Sequence, residues 1–251
     1  MIPISSTIKN LSKIVAAERA ITFLGTGPST PIIDRSGKSN RQNTSTLLNY
    51  KDKKYLIDVP PEVDMEIKPD YLLVTHLHDD SFGGFKRLSK QEFTFGIPAG
   101  LEKKIKEGSS WKKEELRIDR SNEFGNLEIT PFEVIHDIVY KFATFGYRII
   151  FKDGFVLIYA SDMVGIPDKS EQYFEKVDLL ITDGAGWNAN LSTHFGMWSF
   201  LDLVKEKNWS IKKIYFTQIG RPVPDHQEAQ REISNRNNKA KLAYDGLRIT
   251  F

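Results

Sequence analysis

Short hydrophobic segments that end in polar residues recur along the chain, and this pattern predicts many β-strands. Apolar stretches of about four to eight residues, or alternating apolar and polar ones, are typical of strands in sheets. We predict strands at Ile21–Leu24, Ser45–Tyr50, Lys54–Asp58, Tyr71–Thr75, Glu128–Ile135, Gly146–Phe151, Phe155–Ala160, Leu179–Thr182, Lys213–Thr217 and Lys241–Phe251. Turn-like sequences at 49–53 (NYKDK) and 152–154 (KDG) separate neighbouring strands and indicate hairpins.

Helical spacing of apolar residues predicts helices, most of them in the later part of the chain. The predicted helices are Ile8–Val15, Phe82–Lys90, Leu101–Lys106, Ser170–Val177, Met197–Lys207 and Asp225–Asn235. Strands dominate early as hairpins and helices are interleaved later. This order predicts a mixed α/β (α+β) protein with largely antiparallel sheets rather than a parallel doubly wound sheet. No repeat or linker is visible, so residues 1–251 are treated as a single domain.

Charge and cysteine content exclude several classes of function. The net charge is 35 − 33 = +2, whereas general nucleic-acid binders are strongly basic. Because the chain has no cysteine, any metal site must use its five histidines and its carboxylates. Charged residues interrupt any N-terminal signal sequence, and no apolar run approaches the roughly 20 residues of a membrane span. We therefore expect a cytoplasmic protein without a membrane partner.

The segment Tyr71–Asp80 (YLLVTHLHDD) is a hydrophobic strand that runs into His76, His78 and Asp80. Alternate residues of an extended chain point to the same side, so the two imidazoles are able to face one point. Two imidazoles with carboxylates suit zinc, iron or manganese. The segment therefore predicts a metal site, and a solvated polar loop after a strand is the alternative.

Three further predicted strands end at residues of the same kind, namely His136, Asp162 and Asp183. Any one of them alone is more often structural. Together with the first segment they predict a site at one edge of a sheet, because strand ends are rigid supports for such residues. The glycine-containing turn at 23–28 (FLGTGP) is not a dinucleotide fingerprint, since Thr30 stands where the third glycine is needed.

These segments together resemble the metallo-β-lactamase fold superfamily. The resemblance spans nearly the whole chain, through FLGTGPS, NTSTLL, YLIDVPPE, LLVTHLHDDSFGG, VIHD, YASD and AYDGLRI. It is strongest to the phosphodiesterase branch, which contains tRNA 3′-processing endonucleases and a cyclic-phosphate hydrolase. It implies a four-layer αββα sandwich with a metal-dependent hydrolase site at one edge. No long basic insertion is visible, which disfavours tRNA processing.

The resemblance implies a first metal site with four ligands, which are His76, His78, His136 and Asp162. In the family a second metal uses Asp80, Asp162 and two further histidines. Ser81 and Gln218 stand at those two histidine positions here. Both are poor replacements for imidazole. We therefore expect one zinc, manganese or iron ion and a weak or absent second one.

Two histidines lie outside that ligand set. By resemblance His194, just before the helix predicted at Met197–Lys207, faces the scissile phosphate as a general acid or as a donor to a phosphoryl oxygen; a helix-capping residue without chemistry is the alternative. His226 follows Gln218 by eight residues. It either bends back as a substitute ligand or lies solvated in the first turn of a helix.

The resemblance also suggests supporting residues. Asp58 and Asp183 would orient the side chains that bind the metal without touching the metal themselves. The alternative is that each is an ordinary acidic residue in a turn. Arg41, Asn43 and Trp187 lie in loops that the family places over the site, which makes them candidates for binding substrate. Arg41 would suit an anion, although an ordinary loop or core position is the alternative for each of the three.

The reaction we expect is hydrolysis of a small anionic phosphodiester by a metal-bound hydroxide. Asp80, free of a second metal, would act as the base, and His194 would assist the leaving oxygen. Hydrolysis of an ester, lactone or thioester at the same site is the first alternative. A metal-binding or sensing module that has lost catalysis is the second. No nucleic-acid partner is expected, and a homodimer is a superfamily tendency.

Overall fold

The computed structural model describes residues 19–64, 66–88, 90–101, 105, 111–137 and 143–251. The helix predicted at Ile8–Val15 lies outside these residues, and the one at Leu101–Lys106 lies mostly outside them. The first large sheet has the order β16-β1-β2-β3-β4-β5-β6. Its strands are β1 Arg19–Gly25, β2 Ser45–Tyr50, β3 Lys53–Ile57, β4 Tyr71–Leu73, β5 Thr94–Pro98, β6 Lys112–Leu116 and β16 Arg248–Thr250.

The second large sheet has the order β15-β14-β12-β10-β9-β8-β7. Its strands are β7 Asn122–Phe124, β8 Leu127–Val134, β9 Thr144–Ile150, β10 Val156–Ala160, β12 Leu179–Asp183, β14 Ile214–Thr217 and β15 Ala240–Leu242. A short parallel pair consists of β11 Lys176–Val177 and β13 Ser210–Ile211. The helices are α1 Asp79–Phe82, α2 Phe85–Leu88, α3 Asp168–Glu171, α4 Met197–Glu206 and α5 His226–Arg236. Turns of 3₁₀-helix lie at Gly37–Ser39 and Gln172–Phe174.

The two sheets pack face to face, and the alternation of side chains along each strand separates their two faces. In β3, Tyr55 points into the hydrophobic cluster between the sheets, whereas Leu56 joins the cluster beneath α2. In β10, Tyr159 faces the same central cluster, and Ile158 faces the cluster under α4 and α5. The layers therefore follow the order helices, sheet, sheet, helices, which confirms the expected αββα sandwich.

Each large sheet contains three antiparallel and three parallel neighbour pairs among the described strands. Within the antiparallel halves, hairpins join β2 to β3 and β9 to β10, as the turn-like sequences predicted, whereas β1 pairs with the distant β16. The parallel half forms where longer connections return the chain to the same end of the sheet. The expectation of largely antiparallel sheets is therefore wrong for half of each sheet.

Two predicted helices are divided in the structure. The segment predicted at Phe82–Lys90 contains the last residue of α1 and the whole of α2, and Gly84 between them lies so close to the carbonyl oxygen of Pro60 that a side chain there would collide with it. The segment predicted at Ser170–Val177 ends in a 3₁₀ turn and the short strand β11. None of the helices in the described ranges is long and apolar enough to span a membrane.

The final predicted strand, Lys241–Phe251, is two strands in different sheets, β15 and β16. The turn between them contains Gly246 at φ +84°. Its Asp245 carboxylate accepts hydrogen bonds from the Gln42 amide and the Thr26 hydroxyl. These long-range partners fix the turn, and they were invisible to a pattern based on neighbouring residues.

The glycine turn after β1 allows two backbone segments to touch. The Gly27 amide donates to the Gln42 carbonyl at 2.6 Å, and Thr44 donates back to the Gly27 carbonyl at 3.1 Å. A Cβ at Gly25 would overlap the Asn43 carbonyl oxygen. Because both sides of this contact are backbone, neither is able to move aside.

We predict that Gly25→Ala lowers the free energy of unfolding by about 1–3 kcal/mol, because it overpacks a backbone contact. Gly165→Ala is the matched control, since its added Cβ would meet only the Ile135 side chain, at 3.3 Å. Urea denaturation of both variants checks the prediction. Equal stability of the two variants would contradict it.

Candidate metal and catalytic site

The candidate site lies where strands of both sheets end on the same side of the sandwich. In the first sheet β3 and β4 run parallel, and they lead into Asp58 and His76. In the second sheet β10, β12 and β14 run parallel, and they lead into Asp162, Asp183 and Gln218. The strand-end prediction from the sequence is thus realised by the shared direction of these strands.

Three imidazoles form the centre of the site. The nitrogen atoms of His76, His78 and His136 available to a metal lie within 4.8 Å of one another. His76 Nε2 and His78 Nδ1 are 3.0 Å apart. Burial lowers the pKa of His76 to about 3, although the nearby Asp162 carboxylate acts in the opposite direction. Burial and the neighbouring His136 also lower the pKa of His78. Both rings are therefore neutral at pH 7, as metal ligands must be.

A chain of hydrogen bonds orients the first imidazole. The Thr75 hydroxyl lies 3.0 and 3.1 Å from the two Asp58 carboxylate oxygens, and the Thr75 amide donates to Asp58 at 2.8 Å. Because the hydroxyl gives its one proton to Asp58, it accepts the Nδ1–H of His76, 3.0 Å away. This tautomer leaves His76 Nε2 free to bind a metal. Asp58 thus acts on His76 through Thr75.

His136 is oriented by a backbone carbonyl. Its Nδ1 donates to the Thr193 carbonyl oxygen at 3.0 Å, which leaves Nε2 directed to the other imidazoles. Thr193 belongs to the same loop as His194. The loop before α4 therefore supports one ligand and supplies a second functional side chain.

His194 forms a buried pair with Asp183. Its Nδ1 donates to Asp183 Oδ2 at 2.7 Å, and the same carboxylate accepts the backbone amides of Met163 and Ala185. Burial alone would lower the pKa of His194, but the carboxylates of Asp183, Asp162 and Asp80 raise it to about 9. His194 therefore carries a positive charge at neutral pH beside the imidazole cluster.

Asp162 is compensated from two sides. The Ser161 hydroxyl donates to its Oδ2 at 2.6 Å, and Gln218 Nε2 donates to its Oδ1 at 2.6 Å. Burial alone would raise the pKa of Asp162, yet the imidazoles of His76 and His136 hold it below its usual value. The Asp162 carboxylate is therefore ionised.

Asp80 is held less firmly. Gln218 Nε2 lies 3.5 Å from Asp80 Oδ2, at the limit of a hydrogen bond. Burial and the neighbouring Asp162 carboxylate raise the pKa of Asp80 to about 6. Ser81 beside it is buried. The carboxylate is thus close to the site and titrates near neutrality.

The residues present fit a divalent metal. Two nitrogen ligands, each about 2.1 Å from one ion, lie at most about 4.2 Å apart, and the 3.0 Å between His76 and His78 satisfies this limit. His136, Asp162 and His194 form a second group whose ligand atoms also lie within 4.8 Å of one another. The roles of these residues as ligands, and of Asp80 and His194 in catalysis, remain predictions.

The structure corrects the substrate-binding assignment of two loop residues. Arg41 is buried, and its guanidinium donates to the Thr26 hydroxyl and the Ala243 carbonyl. The Asn43 amide donates to the carbonyls of Pro28 and Ser29. Both side chains hold the glycine turn in place, because their polar groups are satisfied there.

Trp187 and His226 have their observed contacts with residues outside the imidazole cluster. The half-buried Trp187 ring packs edge-on against Trp198 of α4, with 5.2 Å between ring centroids. Its place in the substrate site stays a prediction. His226 begins α5 as predicted, but it is buried and not solvated, with Nδ1 3.3 Å from the Arg41 guanidinium and its ring against Tyr244.

The sequence prediction missed the hydroxyl residues that precede the site residues. Thr75 precedes His76 and Ser161 precedes Asp162, and each hydroxyl bonds its neighbour's side chain. A hydroxyl residue directly before a strand-end ligand was therefore the available signal. It is not sufficient alone, since the buried hydroxyl of Thr217, before Gln218, has no partner in the described part of the chain.

Imidazoles and carboxylates at the strand-end edge of an αββα sandwich are typical of a superfamily of metal-dependent hydrolases. A family model described as a β-lactamase superfamily domain matches residues 52–215, and the chain belongs to this superfamily, with the metallo-β-lactamase fold. No curated protein sequence matches the chain.

Several solved structures share the fold. A new diphosphatase from the PhnP family has 23% identity and a TM-score of 0.75, and the match covers 93% of this chain and 98% of that one. Zn²⁺-bound PqqB from Methylobacterium extorquens has 16% identity and a TM-score of 0.73 over 92% of this chain and 100% of that one. The short form of human tRNase Z has 17% identity and a TM-score of 0.65, and the match covers 92% of this chain and 98% of that one.

We predict that Thr75→Val weakens metal binding by about 10- to 100-fold while the fold persists, because it breaks the link from Asp58 to His76. Thr22→Val is the matched control, since the buried Thr22 hydroxyl has no hydrogen-bond partner among the described residues. Competition with a chelator of known affinity measures the effect. Equal metal affinity in the two variants would refute the proposed link.

We predict an acid-dependent loss of stability that arises from His226. Burial, then Arg41 and Lys38, lowers its pKa to about 4, below the value of about 6.5 for an unfolded histidine. The unfolded chain therefore binds the proton more tightly. The contribution of His226 to stability is complete above about pH 6.5 and is lost as the pH falls towards about 4.

The variant His226→Gln keeps a polar partner for Arg41 and removes the titration. Its free energy of unfolding, measured in urea on metal-depleted protein, is expected to fall less than that of the wild type between about pH 7 and about pH 4.5. An equal fall in the free energy of unfolding of both proteins would show that His226 is not responsible for the acid-dependent loss.

Proposed function

We propose that the chain is a hydrolase of a small anionic phosphodiester that depends on one divalent transition metal. His76, His78, His136 and Asp162 would hold the ion. The observation that carries the proposal is the buried pair of His194 and Asp183 beside the imidazole cluster. A cationic donor next to a metal site suits the negative charge that a phosphodiester carries before and during cleavage.

Zinc, manganese and iron all accept such a ligand set, and the bound ion lowers the pKa of water towards about 7 and polarises a phosphoryl oxygen. The protein's own groups would manage the protons. Asp80 is close to the cluster, and its pKa of about 6 is near the optimum for a general base at neutral pH. Its loose contact with Gln218 leaves the carboxylate able to accept a proton.

His194 would assist the leaving oxygen. Asp183 binds its Nδ1, so the opposite ring nitrogen, Nε2, is the one directed to substrate. The charge on the ring favours binding of a phosphate oxygen, and its proton is available to an alkoxide that departs. Asp183 also accepts the Met163 amide, which follows Asp162, so one carboxylate positions both the donor and a ligand-bearing loop.

The similar structures support phosphate chemistry. A diphosphatase and a tRNase Z are among them, and Zn²⁺ is bound in PqqB. The small net charge of +2 gives this chain no general basis for binding a polyanion, which favours a small substrate.

Hydrolysis of an ester, lactone or thioester is the second candidate. The Gln218 amide favours it, because this side chain lies between Asp80 and Asp162, where the family implies a second ion. One ion is sufficient for attack on an acyl carbon. The cationic His194 favours the phosphodiester, since a neutral acyl substrate gains less from a fixed positive charge.

We predict that Asp80→Asn lowers turnover of bis-(p-nitrophenyl) phosphate by about 100- to 10,000-fold, because the base is lost. Metal content is expected to stay at the wild-type level. Asp79→Asn is the matched control, since Asp79 is an exposed neighbour in the same helix. Steady-state rates and elemental analysis of the same samples provide both measurements.

The other outcomes separate the alternatives. Full activity of Asp80→Asn would remove Asp80 as the base. Activity of the wild type on p-nitrophenyl acetate or a thioester, without phosphodiesterase activity, would select the acyl candidate. A fully metal-loaded protein with neither activity would favour a binding or sensing module, and a protein that binds no metal would refute the proposal.

A further inference from the structure

Gln218 occupies an unusual position at the end of β14. Its backbone is in the left-handed region, at φ +55°, and the residue is only 2% exposed. Its backbone N–H donates to Thr44 Oγ1 at 3.2 Å. A buried residue in this conformation is held by its surroundings rather than by its own preference.

The side chain reaches between two carboxylates. Gln218 Nε2 is 2.6 Å from Asp162 Oδ1 and 3.5 Å from Asp80 Oδ2. Ionised carboxylates only accept hydrogen bonds, so the amide nitrogen and not the amide oxygen must face them. Gln218 Oε1 is consequently left buried, without a hydrogen-bond partner among the described residues. An unsatisfied acceptor is unfavourable, which indicates how strongly the carboxylates require a donor.

We propose that Gln218 is a built-in substitute for a second metal ion, with its side-chain N–H groups placed between Asp80 and Asp162, the two carboxylates that the resemblance assigns to that ion. The inference rests on the proposed metal site at the three histidines. Gln218 is then a positioning residue that limits the chain to one ion. Its side-chain nitrogen forms a short hydrogen bond with Asp162 and a long one with Asp80. These hydrogen bonds take the place of the coordination bonds that a second ion would form with the two carboxylates.

An all-oxygen cation site is the competing interpretation. If the amide were reversed, Gln218 Oε1 would join the carboxylates of Asp80 and Asp162. Such a set suits a hard cation such as Mg²⁺ or Mn²⁺ rather than zinc. The short Nε2 contact to Asp162 favours the donor orientation. The two interpretations predict different metal stoichiometries.

Equilibrium dialysis of metal-depleted full chain against Zn²⁺, Mn²⁺ and Mg²⁺, followed by elemental analysis, tests the proposal. The wild type is expected to bind about one Zn²⁺ or Mn²⁺ per chain. The double variant Ser81→His, Gln218→His is expected to bind about two, because it provides both missing imidazoles, and histidine tolerates a positive φ. Gln172→His, on an exposed turn, is the matched control and should remain at about one.

A spectroscopic readout adds a check that is independent of activity. The Mn²⁺-loaded double variant is expected to show an exchange-coupled electron paramagnetic resonance spectrum, whereas the wild type and the control should show isolated ions. A folded double variant with one isolated ion would overturn the proposal.

The remaining outcomes are also decisive. The proposal would be overturned in favour of the all-oxygen site if the wild type bound two Mn²⁺ ions per chain. It would also be overturned if the wild type bound one Mg²⁺ in addition to one Zn²⁺. No metal in the wild type would refute the proposed function itself, which is a separate result. If the double variant does not fold, Gln218→Glu replaces it, since it exchanges the donor for a third carboxylate. A folded Gln218→Glu that gains no second Mn²⁺ would overturn the proposal.

Discussion

The site depends on the cost of burying carboxylates, because an ionised acid away from water must receive hydrogen bonds or face a positive charge. Asp58 is compensated by Thr75, Asp183 by His194, and Asp162 by Gln218. Each compensating group is itself placed by the end of a strand or by the loop that follows. His76 and His194 are therefore oriented by the same hydrogen bonds that make the buried acids tolerable.

The core of the site was predictable because strand ends have a simple geometry. His76 and His78 share one face of an extended segment, and the strands that lead to His136 and Asp162 were visible as apolar runs. Most strand positions were predicted from the same local patterns. The resemblance added the order of the layers, which periodicity alone does not give.

The remaining features depend on partners far away in the sequence. Arg41 looked like an anion-binding residue, but its guanidinium is satisfied by Thr26 and the Ala243 carbonyl. The last predicted strand is divided because Asp245 bonds the backbone of Gln42. Local periodicity contains no information about such contacts. The same limit applies to Gln218, whose replacement of histidine was visible in the sequence but whose contact with Asp162 was not.

The pairing of β1 with β16 has a consequence for biosynthesis. Ile21 lies opposite Ile249, so β1 is completed by a segment that is far away in the sequence. During translation one edge of β1 therefore stays open until the segment that contains β16 has been synthesised. Pairings between such distant segments form slowly and leave strands accessible to other chains. The first large sheet is thus completed only once β16 is available, and until then the open edge of β1 is the part most exposed to pairing with other chains.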